Sequence, residues 1–156
     1  GATNVLRVLG WKAALPVFLF DFLKGFVAVL LAQAVSDQAV FILGAGIMAM
    51  LGHSFPIFLG FKGGKAVATT VGVLAALSGW IVLIMIACFI LVVAITRYVS
   101  LGSIIAALAI PLLFWIFGFS ILYIVFGLLV AILIIWRHHS NISRLLKGTE
   151  SKLGRK

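Results

Sequence analysis

The chain has 156 residues, 65% of them hydrophobic and only 10% charged, with a net charge of +9. A soluble domain carries roughly 25% charged residues, so this composition excludes a water-exposed globule and makes a bilayer the solvent. The positive charge does not point to nucleic acid, because no separate polar domain exists to hold a duplex; basic residues beside apolar spans act as orientation signals or anion sites.

The chain opens with Gly1-Ala2-Thr3-Asn4-Val5-Leu6-Arg7, without Met, a basic leader or a leading apolar run. It therefore shows no signal peptide, and it reads as starting partway through a longer protein. Thr3 or Asn4 can cap a helix that places Arg7 one turn on. Six apolar segments follow: Leu15–Ala34, Ala39–Gly52, Ala66–Leu77, Trp80–Thr96, Val99–Phe117 and Ser120–Trp136. Their hydrophobicity is continuous rather than alternating, which predicts helices, and the second and third are short for a crossing of about 20 residues. The expected fold is an all-α polytopic transmembrane bundle of six spans with a short interfacial helix at the C-terminus. Pro111 is expected to kink its helix. Lone Cys88, inside an apolar run, is read as a small buried hydrophobe.

Counting connections places Arg7, Lys12, Lys62, Lys65, Arg97, Arg137, Arg144, Lys147, Lys152, Arg155 and Lys156 on one side, and only Asp37 on the other. The positive-inside rule makes the basic side cytoplasmic. Miscounting by one span would scatter these cations over both sides.

Asp21 and Lys24 lie within the first span at i, i+3. They can neutralise each other as a structural pair, or serve as a proton or substrate relay. His53 ends the second span beside Ser54, either as a phosphate donor or base or as an interfacial histidine without a role. The segment Gly60-Phe61-Lys62-Gly63-Gly64-Lys65 leads into the third span. Its glycine amides can converge on an anion at a helix N-terminus, with two lysines adding full charge. The other reading is a glycine turn with two snorkelling lysines. It is not a Walker A loop, because Ala66 follows Gly64-Lys65. In the tail, Ile142, Leu145 and Leu146 recur at helical spacing, so an amphipathic helix can turn Asn141 and Arg144 to a polar pocket or lie on anionic lipid. With three acids and the adjacent pair His138-His139, no metal set is supported. Nucleophile elbows and the His-x-x-x-x-Asp pattern are absent, so acyl transfer here would rest on positioning and charge stabilisation.

The three basic-side segments resemble the three motifs of the bacterial acyl-phosphate:glycerol-3-phosphate acyltransferases. The first is matched by Gly1, Ala2, Thr3, Asn4 and Arg7. The second is matched by Gly52, His53, Pro56, Phe61, Lys62, Gly63, Gly64, Lys65, Val67, Ala68 and Thr69. The third is matched by Arg137, His138, Asn141, Ile142, Arg144, Leu145, Gly148 and Glu150. Asp21, Lys24 and Gly25, and the run Arg97 to Leu101, are similar to the family too. The resemblance covers nearly the whole chain as one domain, 1–156. It implies seven helices in the family, of which this chain keeps six, lacking the first span and the Ser-Gly-Asn that opens the first motif.

The resemblance further implies transfer of a fatty acyl group from acyl phosphate to the 1-position of glycerol-3-phosphate, giving lysophosphatidic acid and phosphate without cofactor or metal. Its setting would be the bacterial inner membrane, with the site on the cytoplasmic side. Thr3, Asn4, Arg7, Lys62, Gly63, Gly64, Lys65, Ser100 and Arg144 would bind substrate and its phosphates. His53, His138 and Asn141 would be catalytic. Asp21, Lys24 and Glu150 would be structural, Glu150 holding Arg144 or Lys147. The rival classes are a small membrane transporter using the Asp21/Lys24 pair and a silent assembly subunit. A transporter would place polar residues at the bilayer midplane on several helices, whereas here they gather at one interface.

Overall fold

The computed structural model describes residues 1–61 and 63–154. Among them every regular element is helical. The chain divides into two compact units, Gly1–Gly79 and Trp80–Lys156.

In the first unit, α1 (Ala2–Leu9) is followed by α2 (Trp11–Val35), α3 (Ala39–Ser54) and α4 (Val67–Leu77). The start of α1 differs from the expected cap. The Gly1 carbonyl takes the Asn4 and Val5 amides, so Thr3 and Asn4 lie inside the first turn rather than capping it. Gly10, at φ 80, separates α1 from α2 because only glycine adopts that backbone without strain. Two glycines then set the packing of α2 on α4. A methyl group on Gly25 would overlap the Thr69 carbonyl, and one on Gly72 would overlap the Phe22 carbonyl. Each helix thus offers a bare backbone to the other, the close approach that small residues allow in membranes. Val29, Val73 and Leu74 are fully buried along this unit's core.

In the second unit, α5 (Gly79–Thr96), α6 (Val99–Ile116) and α7 (Ile121–Arg137) are long, and α8 (His139–Leu146) is short. Gly127 of α7 lies against the backbone of Pro111, and α6 is one helix through that proline. Phe114 is fully buried, with the rings of Phe119 and Tyr123 at 5.1 and 5.5 Å. The chain bends by 62° between α7 and α8.

Each of the six apolar segments is a helix. By length and composition α2, α5 and α6 can each cross a membrane, and α7 joins them if it counts together with α8. α3 and α4, at 16 and 11 residues, are shorter apolar helices, about 24 and 16 Å long. Large apolar side chains face outward throughout: Phe20 is 71% exposed and Ile132 63%. A water-soluble surface would not carry so much contiguous apolar area. Trp11, Trp80, Trp115 and Trp136 are all exposed and all lie at helix ends, where membrane interfaces collect tryptophan.

Gly72→Leu is expected to force α4 off α2 and destabilise the fold by about 1–3 kcal/mol, as overpacking does. Thermal unfolding in detergent checks this. A midpoint equal to that of the unsubstituted chain would mean that the close approach of α2 and α4 does not support the fold.

Candidate functional site

The first polar cluster joins α2 to the end of α3. Asp21, 8% exposed, accepts hydrogen bonds on Oδ1 from Lys24 Nζ at 2.7 Å and from His53 Nδ1 at 3.2 Å. Lys24 Nζ lies 3.5 Å from the same imidazole nitrogen. A carboxylate can only accept, so its partner Nδ1 carries a proton and, in the neutral ring, Nε2 holds the lone pair. The expected Asp21–Lys24 pair is present, but it is a three-residue group with His53 as the third member.

His53 also anchors the glycine segment. Gly64 N–H donates to the His53 carbonyl and Gly63 N–H to the Ser54 carbonyl, both at 3.2 Å. A methyl group on Gly64 would overlap His53 Nε2, and one on Gly63 would overlap the His53 carbonyl. These contacts correct the expected amide cradle at Gly63 and Gly64. Their N–H groups are committed to the end of α3, and the residues are glycine because the segment lies flat on that helix end. The backbone on either side is strained: Phe61 and Ala66 both have positive φ, 62 and 59. L-residues held left-handed cost about 1–2 kcal/mol and persist where the surroundings over-determine them. Ala66 precedes α4, and no side chain caps that helix, so its first-turn amides and Lys65 flank the strained stretch. The fully buried hydroxyls of Ser54 and Thr69 have no hydrogen-bond partner among the described residues. Lys62 lies outside the described residues. Thr3, Asn4 and Arg7 fall on one face of α1, at i, i+1 and i+4, and are exposed.

The second cluster, in the other unit, centres on Glu150. Its side chain is 1% exposed. Oε1 accepts from Ser100 Oγ and Asn141 Nδ2, both at 2.8 Å, and Oε2 from Arg144 Nε at 2.6 Å. Burial alone would raise the Glu150 pKa, but the hydrogen bonds from Asn141, Arg144 and Ser100 outweigh it and hold the carboxyl below its ordinary value. Of the two expected partners, Arg144 is the one that Glu150 holds, and Ser100 and Asn141 join it. His138 is buried, and its Nδ1 lies 2.8 Å from the Ile134 carbonyl. That carbonyl can only accept, so Nδ1 bears a proton, which fixes the orientation of the ring. The tail beyond α8 is clasped as well. Leu153 N–H donates to the Arg97 carbonyl at 2.7 Å, and Lys152 Nζ sits 5.3 Å from the centre of the Tyr98 ring.

A family model described as glycerol-3-phosphate acyltransferase matches residues 1–148. Glycerol-3-phosphate acyltransferases from Thermoanaerobacter sp. and Gloeobacter violaceus are 50% and 47% identical, over 100% and 99% of this chain and 78% and 77% of their own lengths. Two crystal structures of PlsY (YgiH), an integral membrane glycerol 3-phosphate acyltransferase, superpose with a TM-score of 0.93 at 39% identity. One is the lysophosphatidic acid form and the other the glycerol 3-phosphate form, and each covers 99% of this chain, which spans 79% and 78% of theirs. With half its residues identical to a curated relative and nearly its whole length matched by the family model, the chain belongs to the glycerol-3-phosphate acyltransferase family.

Proposed function

We propose that this integral membrane acyltransferase moves a fatty acyl group from acyl phosphate to the sn-1 hydroxyl of glycerol-3-phosphate. The products are lysophosphatidic acid and inorganic phosphate, as a step of bacterial phospholipid synthesis. The observation that carries the reading is the match over 99% of the chain to an integral membrane enzyme that has a glycerol 3-phosphate form. The whole chain, 1–156, acts as one domain of six passes in the inner membrane. The gathering of eleven cations on one side of those passes supports a site at the cytoplasmic face.

The glycerol hydroxyl oxygen attacks the acyl carbonyl carbon, the bond from that carbon to the phosphate oxygen breaks, and phosphate leaves. Phosphate is a good leaving group, so no covalent enzyme intermediate is needed. What the protein supplies is position and charge. Lys62 and Lys65, the uncapped start of α4, and Arg7 with Thr3 and Asn4 on the polar face of α1 hold the substrates' phosphates. Asn141, His138 and Arg144 orient the glycerol hydroxyl and the acyl carbonyl, with Ser100 and Glu150 fixing Asn141 and Arg144. A substrate phosphate can itself take the hydroxyl proton; among the side chains, His53 and His138 are the bases to test. The acyl chain lies along apolar helix surfaces that already face lipid. A transporter's use of Asp21 and Lys24 finds less support, because that pair closes on His53.

The deciding assay is release of inorganic phosphate from palmitoyl phosphate, with and without glycerol-3-phosphate. It is run on the purified chain and on a version preceded by the family's first span and Ser-Gly-Asn. Release that depends on glycerol-3-phosphate is expected from the extended version. No release from either, in folded samples, overturns the acyl-phosphate reading. In the active version, Lys62→Ala and Lys65→Ala are each expected to raise KM for glycerol-3-phosphate about tenfold, the loss of one charge-assisted contact. An unchanged KM removes that lysine from the phosphate site.

Glu150 gives a pH signature. Its pKa is lowered on folding, so its stabilisation is complete above the ordinary carboxylate value of 4.5 and is lost as pH falls through the lower folded value. Glu150→Gln is expected to remove this part of the acid dependence, while leaving Arg144 without its carboxylate and lowering the unfolding midpoint at neutral pH. Thermal scans from pH 3 to 7 test this, and parallel curves for the two proteins would contradict it.

A further inference from the structure

We propose that Asp21 is a positioning residue for the phosphate-binding segment and acts on it through His53. The inference rests on the proposed role of Lys62 to Lys65. It adds a residue of the first span.

The chain of contacts is short and continuous. Asp21 Oδ1 takes His53 Nδ1 at 3.2 Å, which fixes the tautomer and orientation of the ring. The ring's other nitrogen lies against Gly64, so closely that no side chain fits there. The His53 and Ser54 carbonyls accept the Gly64 and Gly63 amides. The segment is thus held at its backbone by the end of α3 and at its flank by an imidazole whose angle Asp21 sets. Positive φ at Phe61 and Ala66 on either side shows why such a hold is needed. A stretch bounded by two strained residues relaxes if one restraint is removed. Lys24 completes the group by setting its ammonium 2.7 Å from the buried carboxylate.

A simple ion pair would need Asp21 only to cancel the charge of Lys24. The two roles separate in a variant that removes both charges. Kinetics are measured in the version that shows glycerol-3-phosphate-dependent phosphate release, for Asp21→Ala, Asp21→Asn and the double variant Asp21→Ala/Lys24→Met.

Positioning predicts KM for glycerol-3-phosphate raised about tenfold in Asp21→Ala, with kcat within about twofold of the parent. It predicts the same raised KM in the double variant, because neutralising Lys24 does not restore the hold on His53. Asp21→Asn keeps an oxygen that accepts from Nδ1 and should bring KM most of the way back. Parental KM in the double variant would assign Asp21 to charge neutralisation and overturn the proposal. So would Asp21→Asn behaving like Asp21→Ala. If Asp21→Ala leaves Lys24 unpaired and does not fold, the double variant, which buries no lone charge, decides alone. An inactive parent would overturn the proposed function itself; an active parent with an unmoved KM in the double variant overturns only this inference.

Discussion

A carboxylate taken out of water must be met by donors, and two of the three acids in this chain are buried. In so apolar a protein that requirement organises everything polar. Asp21 draws together a lysine one turn along its own helix and a histidine from the next helix. Glu150 draws in a hydroxyl, an amide and a guanidinium from positions 50, 9 and 6 residues away. Each carboxylate fixes a segment that helical hydrogen bonding cannot fix. For Asp21 that is the turn after α3, through His53. For Glu150 it is the tail after α8. A buried carboxylate with its hydrogen bonds satisfied is costly to disturb, since removing a donor leaves a buried oxygen short of a partner.

The glycines complement this by allowing contact rather than conformational freedom. Gly25 and Gly72 let α2 and α4 meet backbone to backbone, and Gly63 and Gly64 let the turn lie flat on the end of α3. Neither Gly63 nor Gly64 has positive φ; among the described residues of that turn, Gly60, Phe61 and Ala66 are left-handed. The usual association of glycine with a phosphate-cradling amide loop is therefore misleading at this position. The amides are occupied, and Lys65 and the first-turn amides of α4 flank the strained stretch. In the proposed phosphate site the position of side-chain charge depends on how the backbone is held, and the contact of Gly64 with the His53 ring is part of that hold.

Much of the fold was legible because lipid imposes a single dominant pattern. Six uninterrupted apolar runs became six helices, and the short length of the second and third runs reappears in α3 and α4. The amphipathic spacing of Ile142, Leu145 and Leu146 marked α8, whose buried residue is the polar Asn141. In a helix between lipid and protein, the polar face turns inward. The beginning of α1 was misread because Thr3 and Asn4 are good caps, yet the Gly1 carbonyl was available one turn earlier. The link from Asp21 to His53 was not legible. It joins residues on different helices, and spacing along the chain reports neighbours on one helix only. Glu150 was half-read for the same reason. Arg144, six residues away, could be anticipated as its partner, whereas Ser100, fifty residues away, could not.

Each compact unit holds one of the two polar clusters, and the acyl transfer proposed above needs no nucleophilic side chain from either. One unit fixes a cationic turn, and the other fixes an amide, a guanidinium and a histidine whose ring is oriented by a backbone carbonyl. None of these groups must form or break a covalent bond. For the proposed transfer from acyl phosphate, the barrier is lowered by placing charge and hydrogen-bond donors beforehand, so that little reorganises during the reaction. The restraints follow from that demand. Backbone strain beside the turn, a carboxylate clamped by three donors, and histidines oriented through Nδ1 each remove freedom before substrate arrives. The rest of the chain is largely apolar helix whose large side chains face outward.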